Sequence, residues 1–374
     1  MKVAIVYDRV NKWGGAERVL LSLHELFPDA PLYTSVYHPD KAPWAKVFPK
    51  VVPSFLNKIS FLRDKHEYLA FLMPLAFESF NFDAYDLVIS VTSEAAKGII
   101  TKPGTLHICY CLTPTRYLWS HHDFYFKNPL LKIGALPLVN YLRIWDRIAA
   151  SKPDVMVGIS KAVCRRIKKY YGIGAQLIYS PVDLDKFKSQ KSTHSASSGL
   201  MLSKAEASKS GFFLLVSRLN PYKRADLAVC AFNELGLPLI IAGAGSEEAK
   251  LRKMSFNNIK FVGELTDAKL IGYYQKARAL IFPQEEDLGL VAVEAQACGT
   301  PVIALRKGGA LDTVVDGVTG VFFERQNKDS LIAAVKKFEK MKFNGDALRE
   351  NAQKFSKERF KKELLDLINK YGKL

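Results

Sequence analysis

Apolar runs of four or five residues recur along this chain, and they constrain its fold more than any other feature. Residues 3–7, 32–36, 87–91, 106–110 and 155–159 form one series, with longer mixed segments between successive runs. A short, nearly continuous apolar run suits a strand buried on both faces, and the segments between are long enough for crossover helices. A second series follows at 212–216, 238–242, 259–262, 279–282 and 301–305. Helices are expected at 17–26, 291–298, 328–341 and 347–371. Between the two series, 188–210 is rich in Ser and Lys, lacks periodicity and reads as a linker or mobile loop. The expected organisation is a first Rossmann-like domain over 1–187, the linker 188–210 and a second such domain over 211–357. A C-terminal helix of about 358–374 is expected to pack back on the first domain. Two doubly wound domains in tandem imply a site in the cleft between them.

Several function classes are disfavoured at once. No apolar run approaches the roughly 20 residues of a membrane span, and the N-terminal run is too short for a signal peptide, so a cytoplasmic chain is expected. Five cysteines match neither a disulfide framework nor a zinc spacing. The net charge of +17 is shared by both halves, with 24 Lys/Arg against 16 Asp/Glu up to Phe187 and 30 against 21 beyond it. Such a balance attracts nucleic acid, anionic lipid or polyphosphate, and it also serves solubility alone.

The segment 283–303 carries the densest chemistry. Its strand ends at Phe282, Glu286 follows on the loop, Gly289 permits the bend, and Glu294 projects from the helix beyond, seven residues intervening between the two carboxylates. Loops at the C-terminal ends of parallel strands are where open α/β sheets bind ligands. Paired carboxylates there accept hydrogen bonds from vicinal hydroxyls, which sugars and riboses supply. The alternative is a solvated loop residue and a helix-surface residue. Arg218 and Lys223 follow the first strand of the second series, where two cations suit a diphosphate. Gly14 and Gly15 link the first strand to the first helix and allow close backbone approach of an anion or sugar. Gly243-Ala-Gly245 is a weaker signal of the same kind, and such a pattern is more often just a tight turn. Asp183-Leu-Asp185 reads as a turn, so no metal ligand and no cofactor is expected.

Basic and aromatic residues interleave over 44–80, including Lys46, Phe48, Lys50, Phe55, Lys58 and Phe71. That pattern fits an amphipathic element on an anionic membrane surface and also fits core-facing helices with solvated lysines. The basic helix expected at 161–171 carries the same two readings. His121-His122 lies in a polar stretch and does not read as a metal pair.

Taken together these residues resemble the retaining glycosyltransferases of family 4, which have the GT-B fold of two facing Rossmann-like domains. The resemblance spans nearly the whole chain and is strongest in the Glu-x7-Glu pattern of Glu286 and Glu294. It implies that Glu286 contacts the donor sugar, Glu294 the ribose, and Arg218 and Lys223 the donor diphosphate. Gly14 and Gly15 match the family's N-terminal glycine loop, which makes them donor-binding candidates. Gly289, Leu290 and Val291 fall in the donor motif, and Gly263 and Leu265 in the region of the base-binding wall. The stretches 110–119 and 73–79 are similar to a branch of mannosyl- and rhamnosyl-transferases of polysaccharide and lipopolysaccharide O-antigen biosynthesis, which makes Arg116, Tyr117 and Trp119 acceptor-side candidates. That branch commonly carries a histidine where this chain has Leu112. Either the acceptor geometry differs, or His107, His121 or His122 substitutes. Asp312 likewise stands where the family often has Glu. The implied reaction is metal-independent transfer of a hexose, with mannose favoured, from a GDP- or UDP-linked donor to a lipid-linked or polysaccharide acceptor at the inner membrane face. A nucleotide-sugar epimerase, a non-catalytic glycan-binding scaffold and a nucleic-acid binder are the alternatives. The last has no recognised module behind it.

Overall fold

A computed structural model describes residues 1–59, 63, 70–120, 129–187 and 211–372, with the backbone alone over 129–132. The chain divides into two compact units, Met1–Pro181 with Lys357–Leu374, and Val182–Ser356. The expected linker 188–210 lies outside the described residues, as do His121 and His122.

The first unit is built on seven parallel strands: β1 (Val3–Tyr7), β2 (Leu32–Thr34), β3 (Val51–Pro53), β4 (Leu87–Thr92), β5 (Leu106–Cys111), β6 (Val155–Gly158) and β7 (Gln176–Leu177). Their order is β3-β2-β1-β4-β5-β6-β7. Strand succession therefore runs outward from β1 on one side and restarts at β4 on the other. Every residue of β1 and β4 is buried, as a strand covered on both faces requires; β1 is accordingly apolar throughout, and β4 is apolar except for the buried Ser90 and Thr92. The restart is closed by Asp8, the fully buried residue just after β1. Its carboxylate accepts from the backbone N–H groups of Ser93, Glu94, Ala95 and Ala96 at 2.6 to 3.0 Å, and from the Thr92 hydroxyl at 2.9 Å. Burial and the neighbouring Glu94 raise its pKa, while those N–H donors hold it down.

A helix at Pro129–Ala150 has no counterpart among the expected elements. Its inward face sets Val139, Leu142, Ala149 and Ala150 against the unit, and it carries Asp146 into the interior. There the Lys97 ammonium meets Asp146 at 2.6 Å, both side chains 1 % exposed. Thr115 Oγ1 and Trp119 Nε1 donate to the two Asp146 oxygens at 2.9 and 2.7 Å. Burial opposes the charge on Lys97, yet Asp146 holds its pKa above the usual lysine value.

The 44–80 segment departs from a single amphipathic element. Its described part divides into 3-10 turns at Pro43–Val47 and Phe55–Lys58, strand β3 and a six-residue helix at Met73–Glu78. Phe48, Leu56, Met73 and Phe77 are buried, whereas Phe55 and Phe71 are exposed. Much of its apolar content therefore builds the core.

The second unit has six parallel strands: β8 (Phe213–Val216), β9 (Leu239–Ala242), β10 (Ile259–Gly263), β11 (Ala279–Phe282), β12 (Val302–Leu305) and β13 (Gly320–Phe323), in the order β10-β9-β8-β11-β12-β13. Strand β13 was not among the expected strands. Its core joins Phe213, Phe232, Ile241, Ile281, Ile303 and Val335, among others. The single helix expected over 347–371 is two, Gly345–Gln353 and Lys357–Tyr371, the second belonging to the first unit. The chain turns between them, where Val182 N–H donates to the Phe355 carbonyl at 2.8 Å.

Replacing Lys97 by Met strands the Asp146 carboxylate in a dry interior, a change that costs about 3–5 kcal/mol. Thermal unfolding of Lys97→Met should show a large fall in Tm, whereas an unchanged Tm would mean that the pair contributes little.

Candidate functional site

Strand order in the second unit reverses between β8 and β11, so the loops leaving their C-terminal ends diverge and open a crevice at that edge. The loop after β8 bears Arg218, Tyr222 and Lys223; the loop after β11 bears Glu286. The Lys223 ammonium forms a close ion pair with Glu286 Oε1, across 63 residues of sequence. These two side chains are 12 % and 17 % exposed, so the pair is shielded but open to a ligand. The ammonium also lies 5.2 Å from the centroid of the Tyr222 ring. Arg218, exposed, donates from Nη2 to the Tyr222 hydroxyl at 3.2 Å. Three of the expected residues, Arg218, Lys223 and Glu286, thus come together, joined by Tyr222.

What holds Lys223 there was not legible beforehand. Arg224 has φ 54°, the one described non-glycine residue in the left-handed region, at a cost of about 1–3 kcal/mol. Its guanidinium is held by Asp226 at 3.1 and 3.3 Å and by Gln326 Oε1 at 3.2 Å. Gln326 Nε2 in turn donates to the Pro283 carbonyl at 2.9 Å. A polar relay therefore ties the loop of Lys223 to the loop of Glu286.

Glycines set the Glu286 backbone. Gly309 N–H donates to the Glu286 carbonyl at 2.8 Å. Gly308 has φ +63°, and a Cβ on it would stand 2.4 Å from that same carbonyl oxygen. Gly289, at φ +88°, precedes the helix Leu290–Ala297, which has no side-chain cap. The first-turn N–H groups at Leu290 and Val291 thus start the helix beside the Glu286 loop, where its dipole favours an anion. Glu294 is turned inward from this helix: it is 2 % exposed and accepts from the Tyr274 hydroxyl at 3.0 Å. Burial and then Glu294 push the nearby Cys298 thiol up to about 12, which leaves it unreactive at neutral pH.

Gly243 and Gly245 are more than a tight turn. A Cβ on Gly243 would fall 1.9 Å from the Ser217 carbonyl oxygen, and one on Gly245 2.5 Å from that of Leu219. Their loop is interlocked with the Arg218 loop. Gly263 accepts from Gly243 N–H at 2.7 Å, but it and the half-buried Leu265 follow β10, the edge strand two places from β8.

In the first unit, Gly14 is extended and any residue could adopt its φ. A Cβ there would stand 3.1 Å from Glu17 Oε2. The Glu17 carboxylate is 2 % exposed, accepts from the Tyr7 hydroxyl at 3.2 Å, and has its pKa raised by burial. The start of the helix Gly15–Leu26 therefore faces a carboxylate of its own chain. Trp119 is fixed by its bond to Asp146, stacks on Tyr170 at 5.3 Å, and lies 5.6 and 5.0 Å from the guanidinium groups of Arg143 and Arg147. Arg116 and Tyr117 are half-buried beside it in sequence, and Leu112 is half-buried too. His107 cannot take the place of the family histidine. It is the second residue of β5, fully buried, hydrogen-bonded through Nε2 to Ser90 Oγ at 2.8 Å, and at the opposite end of the strand from Leu112.

Among known proteins, residues 201–359 match the family described as glycosyl transferases group 1. The GDP-mannose-dependent monoacylated alpha-(1-6)-phosphatidylinositol monomannoside mannosyltransferase of Corynebacterium glutamicum is 29% identical over 201 residues, 50% of this chain and 52% of that protein. An uncharacterized glycosyltransferase of Methanocaldococcus jannaschii, MJ1178, is 29% identical over 157 residues, 40% of this chain and 45% of that protein. The chain thus spans about half the length of the curated relatives it matches. Among solved structures, Anabaena Alr3699/HepE in complex with UDP superposes with TM-score 0.70 at 18% identity, covering 99% of this chain and 100% of that one. Sucrose-phosphate synthase from Thermosynechococcus elongatus does so with TM-score 0.69 at 17% identity, covering 99% of each. Both units have the Rossmann-like architecture of the GT-B glycosyltransferases.

Two outcomes follow from this geometry. Gly308→Ala combines a left-handed φ with a clash at the Glu286 carbonyl, and should cost about 2–4 kcal/mol. Gly104→Ala, at φ +89° with open space around its Cβ, should cost only about 1 kcal/mol; equal losses in urea titrations would contradict the close packing of Gly308 on the Glu286 carbonyl. His107, its pKa lowered from 6.5 to about 3 by burial and then by Lys152, is kept neutral by folding while the unfolded chain takes up a proton. Stability should therefore fall as pH drops from 6.5 toward 3, by about 1.4 kcal/mol per unit. His107→Gln should flatten that dependence.

Proposed function

We propose that this chain is a retaining hexosyltransferase that takes a nucleotide diphosphate sugar at the crevice of its second unit. The observation that carries the proposal is the Lys223–Glu286 ion pair beside Arg218, at the strand reversal of a unit matching the group 1 glycosyl transferases. A cation and a carboxylate held together in a shielded site neutralise each other until a ligand brings partners for both. A diphosphate draws Lys223 and Arg218. A sugar hydroxyl donates to the released Glu286 oxygen. As the bond from the anomeric carbon to the leaving phosphate lengthens, negative charge grows on the phosphate and the sugar becomes oxocarbenium-like. Arg218, Lys223 and the N–H groups at Gly289, Leu290 and Val291 are the donors poised to stabilise that charge, so this chemistry calls on no metal ion. Glu286 fixes the sugar in line, which is a positioning role.

Glu294 serves the ribose in this reading, exchanging or sharing its Tyr274 partner for ribose hydroxyls, and Gly263 and Leu265 flank the base. GDP and UDP donors are both accommodated by the proposal: the mannosyltransferase relative is GDP-mannose-dependent and the Anabaena neighbour holds UDP. Mannose is the favoured sugar. In the first unit, Gly14 and Gly15 stand on the donor side in this reading, and the raised carboxyl of Glu17 behind them suits a hydroxyl rather than an anion, as a sugar would present. Arg116, Tyr117 and Trp119 form the acceptor side, for a lipid-linked or polysaccharide substrate.

Glu286→Ala and Lys223→Ala should each lower transfer about a hundredfold or more while leaving the thermal melt near wild type. The assay incubates the protein with GDP- and UDP-linked hexoses, with and without a membrane lipid extract. Acceptor-dependent release of nucleoside diphosphate supports transfer. Donor conversion without any acceptor would instead identify an epimerase, silence toward every donor a scaffold, and full activity in either variant would remove the site assignment.

A further inference from the structure

The helix Pro129–Ala150 leaves one face uncovered in the first unit. Ile133, Tyr141, Ile144 and Ile148 are 64%, 54%, 63% and 56% exposed. At 100° per residue they fall within one quarter-turn, opposite the face that Val139, Leu142, Asp146 and Ala149 bury. Four large apolar side chains aligned over four turns form a contiguous surface stripe, which isolated exposed residues do not. Arg143 and Arg147 run along one flank, and their guanidinium groups lie near the Trp119 ring. Arg147 Nε also donates to the Tyr170 carbonyl at 3.1 Å, at the end of the helix Lys161–Tyr171. That second helix presents Lys161, Arg165, Lys168 and Lys169 to the exterior.

Among the described residues of these two helices, every exposed or half-buried charge is basic. The single acid in the helix, Asp146, is turned inward against Lys97. An aliphatic stripe, a flanking arginine row and neighbouring Trp and Tyr rings are the parts of an element that lies in a bilayer interface: the apolar side chains enter the acyl boundary, aromatic rings settle at headgroup depth, and cations meet lipid phosphates. Crossing the bilayer is a different matter, because no described helix is long and apolar enough for it. A second copy of the chain would set basic flank near basic flank, an arrangement that like-charge repulsion opposes.

We propose that this face of the helix, with the basic flank beside it, docks the first unit on an anionic bilayer leaflet. The proposal extends the reading of a lipid-linked acceptor, yet it rests on the exposed face alone and not on the donor crevice. It also relocates the membrane-facing element expected over 44–80 to a segment far along the chain.

The test is co-sedimentation of the full chain with vesicles of phosphatidylcholine, with or without phosphatidylglycerol, in the absence of any sugar donor or acceptor. Binding should require phosphatidylglycerol and weaken as salt is raised. The triple variant Ile133→Ser/Ile144→Ser/Ile148→Ser should bind at least about tenfold more weakly. Its replaced side chains are more than half exposed, so its thermal melt should match wild type; Ile144→Glu alone should weaken binding in the same direction. Unchanged vesicle binding by both variants would overturn the proposal, as would equal binding to pure phosphatidylcholine. Sedimentation equilibrium showing a wild-type dimer that the triple variant abolishes would assign the face to a second copy instead. Because no donor is present, loss of transfer in the Lys223 or Glu286 variants cannot mimic any of these results.

Discussion

A parallel sheet whose strand order reverses must leave a gap where two neighbouring loops depart in opposite directions, and the candidate chemistry of this chain depends on that constraint. In the second unit the gap lies between β8 and β11, and Lys223 and Glu286 meet across it. Neither loop holds its residue unaided. Arg224 keeps a left-handed backbone because Asp226 and Gln326 grip its guanidinium, and Gln326 also grips the Pro283 carbonyl. Gly308 and Gly309 bring their own backbone against that of Glu286 through Leu288 at distances no side chain would allow. Strain at Arg224 and close packing at the glycines both serve the pair, in the way functional sites commonly store strain.

The first unit meets the same constraint between β1 and β4 and resolves it differently. Asp8 fills the position with a buried carboxylate saturated by N–H groups of the opposite loop. Those bonds tie the two loops together across the reversal. The candidate site residues of this unit lie instead around Glu17 at the helix start and around Trp119, which Asp146 anchors. One topological feature thus leaves a candidate binding crevice in one unit and is closed by a buried carboxylate in the other.

Much of the sheet was legible from sequence because strands buried on both faces read as unbroken apolar runs. Residues 3–7 and 279–282 match β1 and β11 to the residue. Glu286 was legible because it follows such a run directly. Lys223 was legible too, but its pairing with Glu286 was not, since nothing in the spacing links residues 63 apart, and Gln326 lies 102 residues from Arg224. The helix Pro129–Ala150 escaped notice for a physical reason. It has apolar side chains on its exposed face as well as its buried one, and Pro137 within it, so the alternation that marks an ordinary surface helix is erased. The feature that hid the helix is the feature that singles out its outer face. His107 illustrates the converse: a histidine in a plausible place by sequence proved to be a neutral core residue bonded to Ser90.

The central claim is that the Lys223–Glu286 pair is a donor site waiting for its ligand. A crystal structure of the chain soaked with GDP and, separately, with UDP tests it most directly. The account predicts a diphosphate at the β8/β11 edge, contacted by Arg218 and by a Lys223 ammonium that has left Glu286 or shares it. A diphosphate bound elsewhere, with the ion pair intact, would contradict it.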